Sequence, residues 1–319
     1  MKKTTNKISV IGRVYDASNI SVKTVQDTSK PSYGTEYING NLDIATDDDC
    51  LNVISVHFTY VTEKTKAGKT NSTFKVLKDI IENNKSVIAA GKDNAVCVKV
   101  DTAIGLNDFY TSRNGEETLV SAKRAEGGFV SVIASLPADK RNTFECDMLI
   151  NGTQYVEANE EKHIEKDYLI VKGAVFDFRK AILPVEFVVK SQSGIKYFES
   201  LDASPKNLVF TKVWGSIKCE NIVTKREEES AFGEPIVKEF TKTVKEWTIE
   251  GTSKADSTYE IGDAENGITE AEIKEALANR EVYLADIKKK QDEYNASKNS
   301  SSESVPFDTK NVKTDSFNF

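Results

Sequence analysis

Four side chains on one alternating run could hold a flat, negatively charged polymer. In "LVFTKVWGSIK", Phe210, Lys212, Trp214 and Lys218 fall on one side of a strand, because successive side chains alternate. Val209, Val213, Ile217 and Cys219 fall on the other side and read as core. Aromatic rings stack on nucleobases and ammonium groups follow phosphates, so the first set suits a single-stranded nucleic acid. The same set also suits a barrel end or an interdomain seam, where Phe210 and Trp214 would cover apolar surface. A second supply of such residues lies earlier in the chain. Tyr33 and Tyr37 lie in or after a long loop, Lys64, Lys66 and Lys69 follow a strong strand, and Phe109, Tyr110 and Arg113 follow another.

Other chemistries have less to stand on. "AGKT" at 67–70 looks like the end of a phosphate loop, but Glu63 occupies the place of the required first glycine. "DDDC" lacks the spaced ligands of a calcium loop and reads as a polar turn. No G-x-S-x-G occurs, and neither His57 nor His163 has a nucleophile signature around it, so the expectation is a protein that is not an enzyme. Cys50, Cys97, Cys146 and Cys219 have no C-x-x-C spacing and read as small core side chains in a reducing compartment. With two histidines in the chain, no metal site and no cofactor is expected.

The elements that would position these residues are mostly strands. "KISVIGRV" alternates, "TEYINGNLDIAT" is a second strand, and in "CLNVISVHFTYV" Ile54, Val56, Phe58 and Tyr60 fall on one side. "STFKVLKDIIENN" changes to a helical period, "NAVCVKVDTAI" is a fourth strand, "GLNDFYTSRNGEE" reads as a loop, and "TLVSAKRAEGGFVSVIASL" reads as a hairpin turning at Gly127–Gly128. Three strands, a helix and two strands match the order of an OB fold, although other small barrels use similar elements. A second β-rich block covers 144–250, with Gly173 placed where a barrel strand bends, "SQSG" at a hairpin turn, and no helix expected. "KISVIGRVYD" and "YLIVKGAVFD" resemble one another and hint at two related barrels.

From Ile268 the period becomes helical. Thr269 and Glu272 have capping-box spacing, and Ile273, Leu277, Leu284 and Ile287 form one stripe. The serine-rich stretch after Tyr294 reads as disordered. The expected organisation is therefore mainly β, with tandem OB-like β-barrels at 6–135 and 144–250, an amphipathic helix at 268–294, and a disordered tail at 295–319. The chain carries a net charge of −7, of which −5 sits in 251–319, so the barrels are nearly neutral overall. No run is long enough to span a membrane, and the apolar part of "MKKTTNKISVIGRV" is too short for a secretory signal, so a cytoplasmic protein is expected.

These features together resemble the phage and bacterial single-stranded-DNA-binding proteins (SSBs). "NKISVIGRV" resembles their first strand, the element order and "FKVLKDIIENN" fit their barrel, and the chain ends "TDSFNF". The resemblance implies sequence-independent binding of single-stranded DNA in replication and recombination, in a bacterial or phage-infected cytoplasm, with homo-oligomers possible. It also implies a tail that recruits replication or recombination proteins, here through Asp315, Phe317 and Phe319. Lys310 and Lys313 depart from the acid-rich ending of that family, and the second β block has no counterpart in its simplest members. The alternative is a non-enzymatic structural or assembly protein, a virion component or multi-barrel adaptor, with the same aromatics as interface residues.

Overall fold

The computed structural model describes residues 4–65, 67–113, 116–159, 164–228, 232, 236–253 and 259–302. The first unit contains β1 (Asn6–Asp16), β2 (Ile20–Thr24), β3 (Glu36–Ala45), β4 (Val53–Thr62), α1 (Ser72–Glu82), α2 (Val87–Ala90), β5 (Cys97–Arg113) and β6 (Glu116–Val132). Its sheet closes through β1–β3, β3–β4, a parallel β4–β6 pair, β6–β5 and β5–β1. That closure, with a helix between the third and fourth barrel strands, is the OB fold. β2 is an addition at the outer edge of β3.

The second unit contains β7 (Asn142–Val156), β8 (Tyr168–Phe176), β9 (Ile182–Val189), α3 (Gln192–Ser200), β10 (Val209–Glu228) and β11 (Ile236–Thr252). It closes in the same way: β7–β8, β8–β9, a parallel β9–β11 contact, β11–β10 and β10–β7. The fold is therefore mainly β, two OB barrels in tandem followed by α4 (Glu270–Ser302). No helix among the described residues is long and apolar enough to cross a membrane.

The alternating strands bury the residues that their period dictates. Ile8, Val10 and Val14 of β1 are fully enclosed, as are Val98 and Val100 of β5. Where β8 crosses β7, a Cβ on Gly173 would stand 2.2 Å from the Leu149 carbonyl oxygen, so the crossing needs glycine. The barrels meet through their first strands. The N-terminal half of β1 pairs antiparallel with that of β7, and Ile8 faces Phe144, the residue that holds the matching place in the second barrel. The join thus has a pseudo-two-fold axis, and stacked Phe144 and Phe187 (4.8 Å) lie in the core beside it.

Several expectations need correction. "SQSG" starts α3 rather than a hairpin: Ser191 caps it by accepting from the Gly194 N–H, and Ile195 and Phe198 bury one side. Gly127 and Gly128 lie inside one continuous β6; both take positive φ (67° and 107°), and together they oppose Thr102 of β5 as a bulge that β6 carries without a break. "GLNDFYTSRNGEE" is no loop but the outer end of a long β5–β6 ribbon. The suggested repeat paired unlike strands, since "YLIVKGAVFD" belongs to β8 and the true partner of β1 is β7. In α4 the Thr269–Glu272 capping box forms as its spacing requires. Leu277, however, is exposed, and the buried stripe runs through Ile273, Ala276 and Arg280. The helix also continues to Ser302, into the segment that reads as tail.

Candidate nucleic-acid interface

The outer side of β3 and β4 carries a tyrosine pair built on a backbone irregularity. Ile38 pairs with Val61 and Gly40 with Phe58, so Thr59 and Tyr60 together oppose Asn39. This bulge shifts the alternation by one residue. Tyr60 was expected beside Phe58 on the inner side; it turns outward and is 46% exposed. Its φ is +55°, a left-handed conformation that costs a bulky residue about 1–2 kcal/mol. Gly40, which pairs with Phe58 beside the bulge, takes φ +136°. The Tyr60 ring lies 4.7 Å from that of Tyr37 at 37°, and its hydroxyl donates to Ser32 Oγ at 3.3 Å.

Cations flank this pair. Lys23 of β2 lies directly across from Tyr37 in the ladder. Lys64 and Lys69 stand in the turn after β4, held by hydrogen bonds of the Thr65 N–H to the Lys69 carbonyl and of the Gly68 N–H to the Thr65 carbonyl. All three lysines are exposed, and none has an ion-pair partner among the described residues. Tyr33, 55% exposed, lies in the turn before β3. Lys66 lies outside the described residues.

The β5–β6 ribbon extends this surface. Its outer side continues the β4 surface through Arg124, which bonds Glu126 (3.1 Å) and Asn107 (3.3 Å), and includes Phe109, 40% exposed. His57 on β4 meets Asn41 Oδ1 at 2.8 Å; burial first and the Arg124 charge second hold its pKa below the usual 6.5. Tyr110 requires a correction. It lies on the opposite side of the ribbon, where Gln291 of α4 bonds both its N–H (3.0 Å) and its carbonyl (2.6 Å) and Lys288 sits 5.1 Å over its ring. The Arg113 side chain lies outside the described residues.

The four residues on β10 do not form one binding strip. Phe210 is 3% exposed: the start of α4 covers it, and it meets Phe176 at 6.3 Å and Tyr259 at 5.5 Å. Lys212 is paired with Glu145 at 2.7 Å and Lys218 with Glu220 at 2.5 Å. Trp214 is 41% exposed and lies flat on Gly251, where a Cβ would stand 2.5 Å from the indole. It borders a cleft of about 750 Å³ over the barrel junction, where Lys7 and Lys140 face Asp101, Glu145 and Glu250. Three carboxylates against two ammonium groups give a phosphate chain no net attraction there. Strand alternation showed which side these residues share, but not that α4 covers one end or that acids neutralise the rest.

The β8–β9 side, the topological equivalent of β3–β4, is covered at one end. Ala174, Phe176 and Ile182 pack under Ile268, Ile273 and Ala276 of the α4 approach, and Lys172 faces Glu186 at 3.9 Å. Asp315, Phe317 and Phe319 lie outside the described residues. No group of three or more His, Cys, Asp or Glu side chains able to hold a metal occurs among the described residues. Lys23, Tyr60 and Arg124 are members of the β3–β4 surface that the sequence did not single out. Lys23 could have been found from its alternation in "ISVKT", whereas Tyr60 required knowledge of the bulge.

The family model described as YorF matches residues 5–290, and the chain belongs to that family. No curated protein is matched by the sequence. Among solved structures, the chain is similar to the wild-type single-stranded DNA binding protein from Thermus aquaticus, at 8% identity over 79% of this chain and 93% of that one, with a TM-score of 0.42. A deletion mutant of the same protein is similar at 9% identity over 79% and 94%, with a TM-score of 0.42. The fold is defined by the strand closures above, not by these likenesses.

Proposed function

We propose that this YorF-family chain binds single-stranded DNA on the outer side of β3 and β4, through base stacking and phosphate neutralisation and largely without regard to sequence. The observation that carries this reading is the Tyr37–Tyr60 pair, half-buried Tyr37 against exposed Tyr60 on a strained bulge, flanked by Lys23, Lys64 and Lys69, which have no ion-pair partner among the described residues. In OB folds this side, with the loop after the first strand and the ribbon between the fourth and fifth, is where oligonucleotides lie. Stacking accepts any base, because each has a π-face, and the lysines add a salt-dependent attraction. The protein acts without catalysis, in replication or recombination in the cytoplasm, and Asp315, Phe317 and Phe319 serve as an anchor for a partner protein.

The test is a fluorescence anisotropy titration of labelled oligo-dT at low and moderate salt. Saturable binding that weakens with salt is expected, and absence of binding at low salt would overturn the reading. Parallel titration with oligo-U separates DNA from RNA preference. A second reading, an assembly protein, draws on the burial of Phe210 at a seam and the exposure of Trp214 over a mixed-charge cleft. Sedimentation that shows a Trp214-dependent oligomer, with no oligo-dT binding, would favour it.

A further inference from the structure

The β5–β6 ribbon forms one wall of the proposed DNA surface, yet its other side is gripped by a charged helix. Past the barrel core, Asp108 on the inner side of β5 is fully enclosed. Arg280 of α4 meets it with both guanidinium ends, Nη1 to Oδ2 at 2.7 Å and Nη2 to Oδ1 at 2.6 Å, and Ser121 of β6 donates to the same carboxylate at 2.6 Å. About three turns further along α4, Gln291 bonds both backbone groups of Tyr110. Below them, Lys123 of β6 donates to the Glu186 carbonyl of the second barrel and sits 4.8 Å over Phe187. The ribbon is therefore held between α4 and the second barrel, while its outer side, with Arg124 and Phe109, remains open.

We propose that Arg280 is a positioning residue for DNA binding: through Asp108 it sets the angle of the β5–β6 ribbon against the β3–β4 surface. This rests on the reading of that surface as the DNA site. The first turns of α4 are fixed to the second barrel by apolar contacts, Ile273 and Ala276 among them, and would hold the helix in place without any ion pair. An apolar side chain at 280, facing an apolar one at 108, would fill the same space without fixing a direction. The planar guanidinium fork instead fixes a direction, because two parallel hydrogen bonds tolerate little rotation. Arg280 itself is buried on the far side of the ribbon from Tyr37 and Tyr60, out of reach of a strand lying on them.

The experiment uses the full chain and two readouts, amide hydrogen exchange of residues 105–124 and oligo-dT affinity as a function of salt. Arg280→Lys should speed exchange in the ribbon and weaken oligo-dT binding about tenfold. The slope of log K against log salt should stay as in the wild type, since no phosphate contact is lost. Gln291→Ala, at a half-buried site, should show the same pattern more weakly and serves if Arg280→Lys does not fold. The pair Asp108→Asn with Arg280→Gln, which keeps a polar contact without charge, should recover part of the protection and of the affinity together. Faster ribbon exchange with unchanged affinity would overturn the proposal, as would a reduced salt slope in Arg280→Lys, which would make Arg280 a phosphate contact. If the wild type itself fails to bind oligo-dT at low salt, the DNA reading falls, and the positioning role falls with it.

Discussion

The outer sides of β3–β4 and β8–β9 occupy the same place in two barrels of one topology, and they have opposite fates. On β3–β4 a bulge turns Tyr60 out to meet Tyr37, and Lys23, Lys64 and Lys69 have no ion-pair partner among the described residues. On β8–β9 the equivalent strands present Ala174, Phe176 and Ile182 to the α4 approach, and the remaining lysine faces a carboxylate. Topology thus supplies a platform, but what covers it and which charges remain unpaired decide whether it can bind anything. One barrel carries the candidate site and the other serves as its support.

The largest expected effect comes from the covered side. Phe210→Ala removes a buried ring from the seam under α4 and should cost about 3–5 kcal/mol of stability in urea denaturation. The folded fraction should bind oligo-dT as before; weaker binding at unchanged stability would make Phe210 part of the site and break the contrast. Next is the double change Tyr37→Ala with Tyr60→Ala, which should weaken oligo-dT binding by on the order of 2–4 kcal/mol, given about 1–3 kcal/mol per stacked base. The matched change Ile170→Ala with Val188→Ala on the second barrel should leave affinity unaltered. Converting Lys23, Lys64 and Lys69 to Gln should lower the salt slope by about 2, at about 0.7 per phosphate contact on single strands. Trp214→Ala and Lys218→Gln should not move it.

The smallest effect concerns pH. Burial and Arg124 depress the His57 pKa below 6.5, so the unfolded chain binds a proton more readily than the folded one. The stability this contributes is present above pH 6.5 and is lost as pH falls through the lower folded value. Thermal unfolding of the wild type should therefore lose ground to His57→Gln between pH 6.5 and 5. Strands β8 and β9 contain no histidine, so this titration belongs to the open side alone.

Much of the architecture was legible in the sequence because it rests on periodicity. The alternation of Ile8, Val10 and Val14, the change to helical spacing at Phe74, and the Thr269–Glu272 box are local signals, and each marks the element that forms. The features that were not legible depend on contacts far along the chain. Arg280 and Asp108 stand 172 positions apart, and nothing near either announces the pair. α3 was hidden because "SQSG" satisfies the chemistry of a turn as well as that of a helix cap. In the candidate site, Tyr33, Lys64 and Lys69 could be placed because OB loops fall in predictable gaps between strands, whereas Tyr37 and Phe109 lie within β3 and β5. Phe210 and Tyr110 misled because alternation tells which side a residue takes, not whether a helix lies on it.

The pairing of Ile8 with Phe144 has an evolutionary consequence. In a dimer of identical chains related by a true axis, each inherited substitution arrives in both subunits, so a change that improves one copy must be tolerated by the other. Here both halves of the axis are written in one reading frame, and a single codon change alters one barrel alone. Each half can then drift under its own selection. The outer side of each barrel is then free to change alone, while Ile8 and Phe144, register partners at the axis, constrain one another.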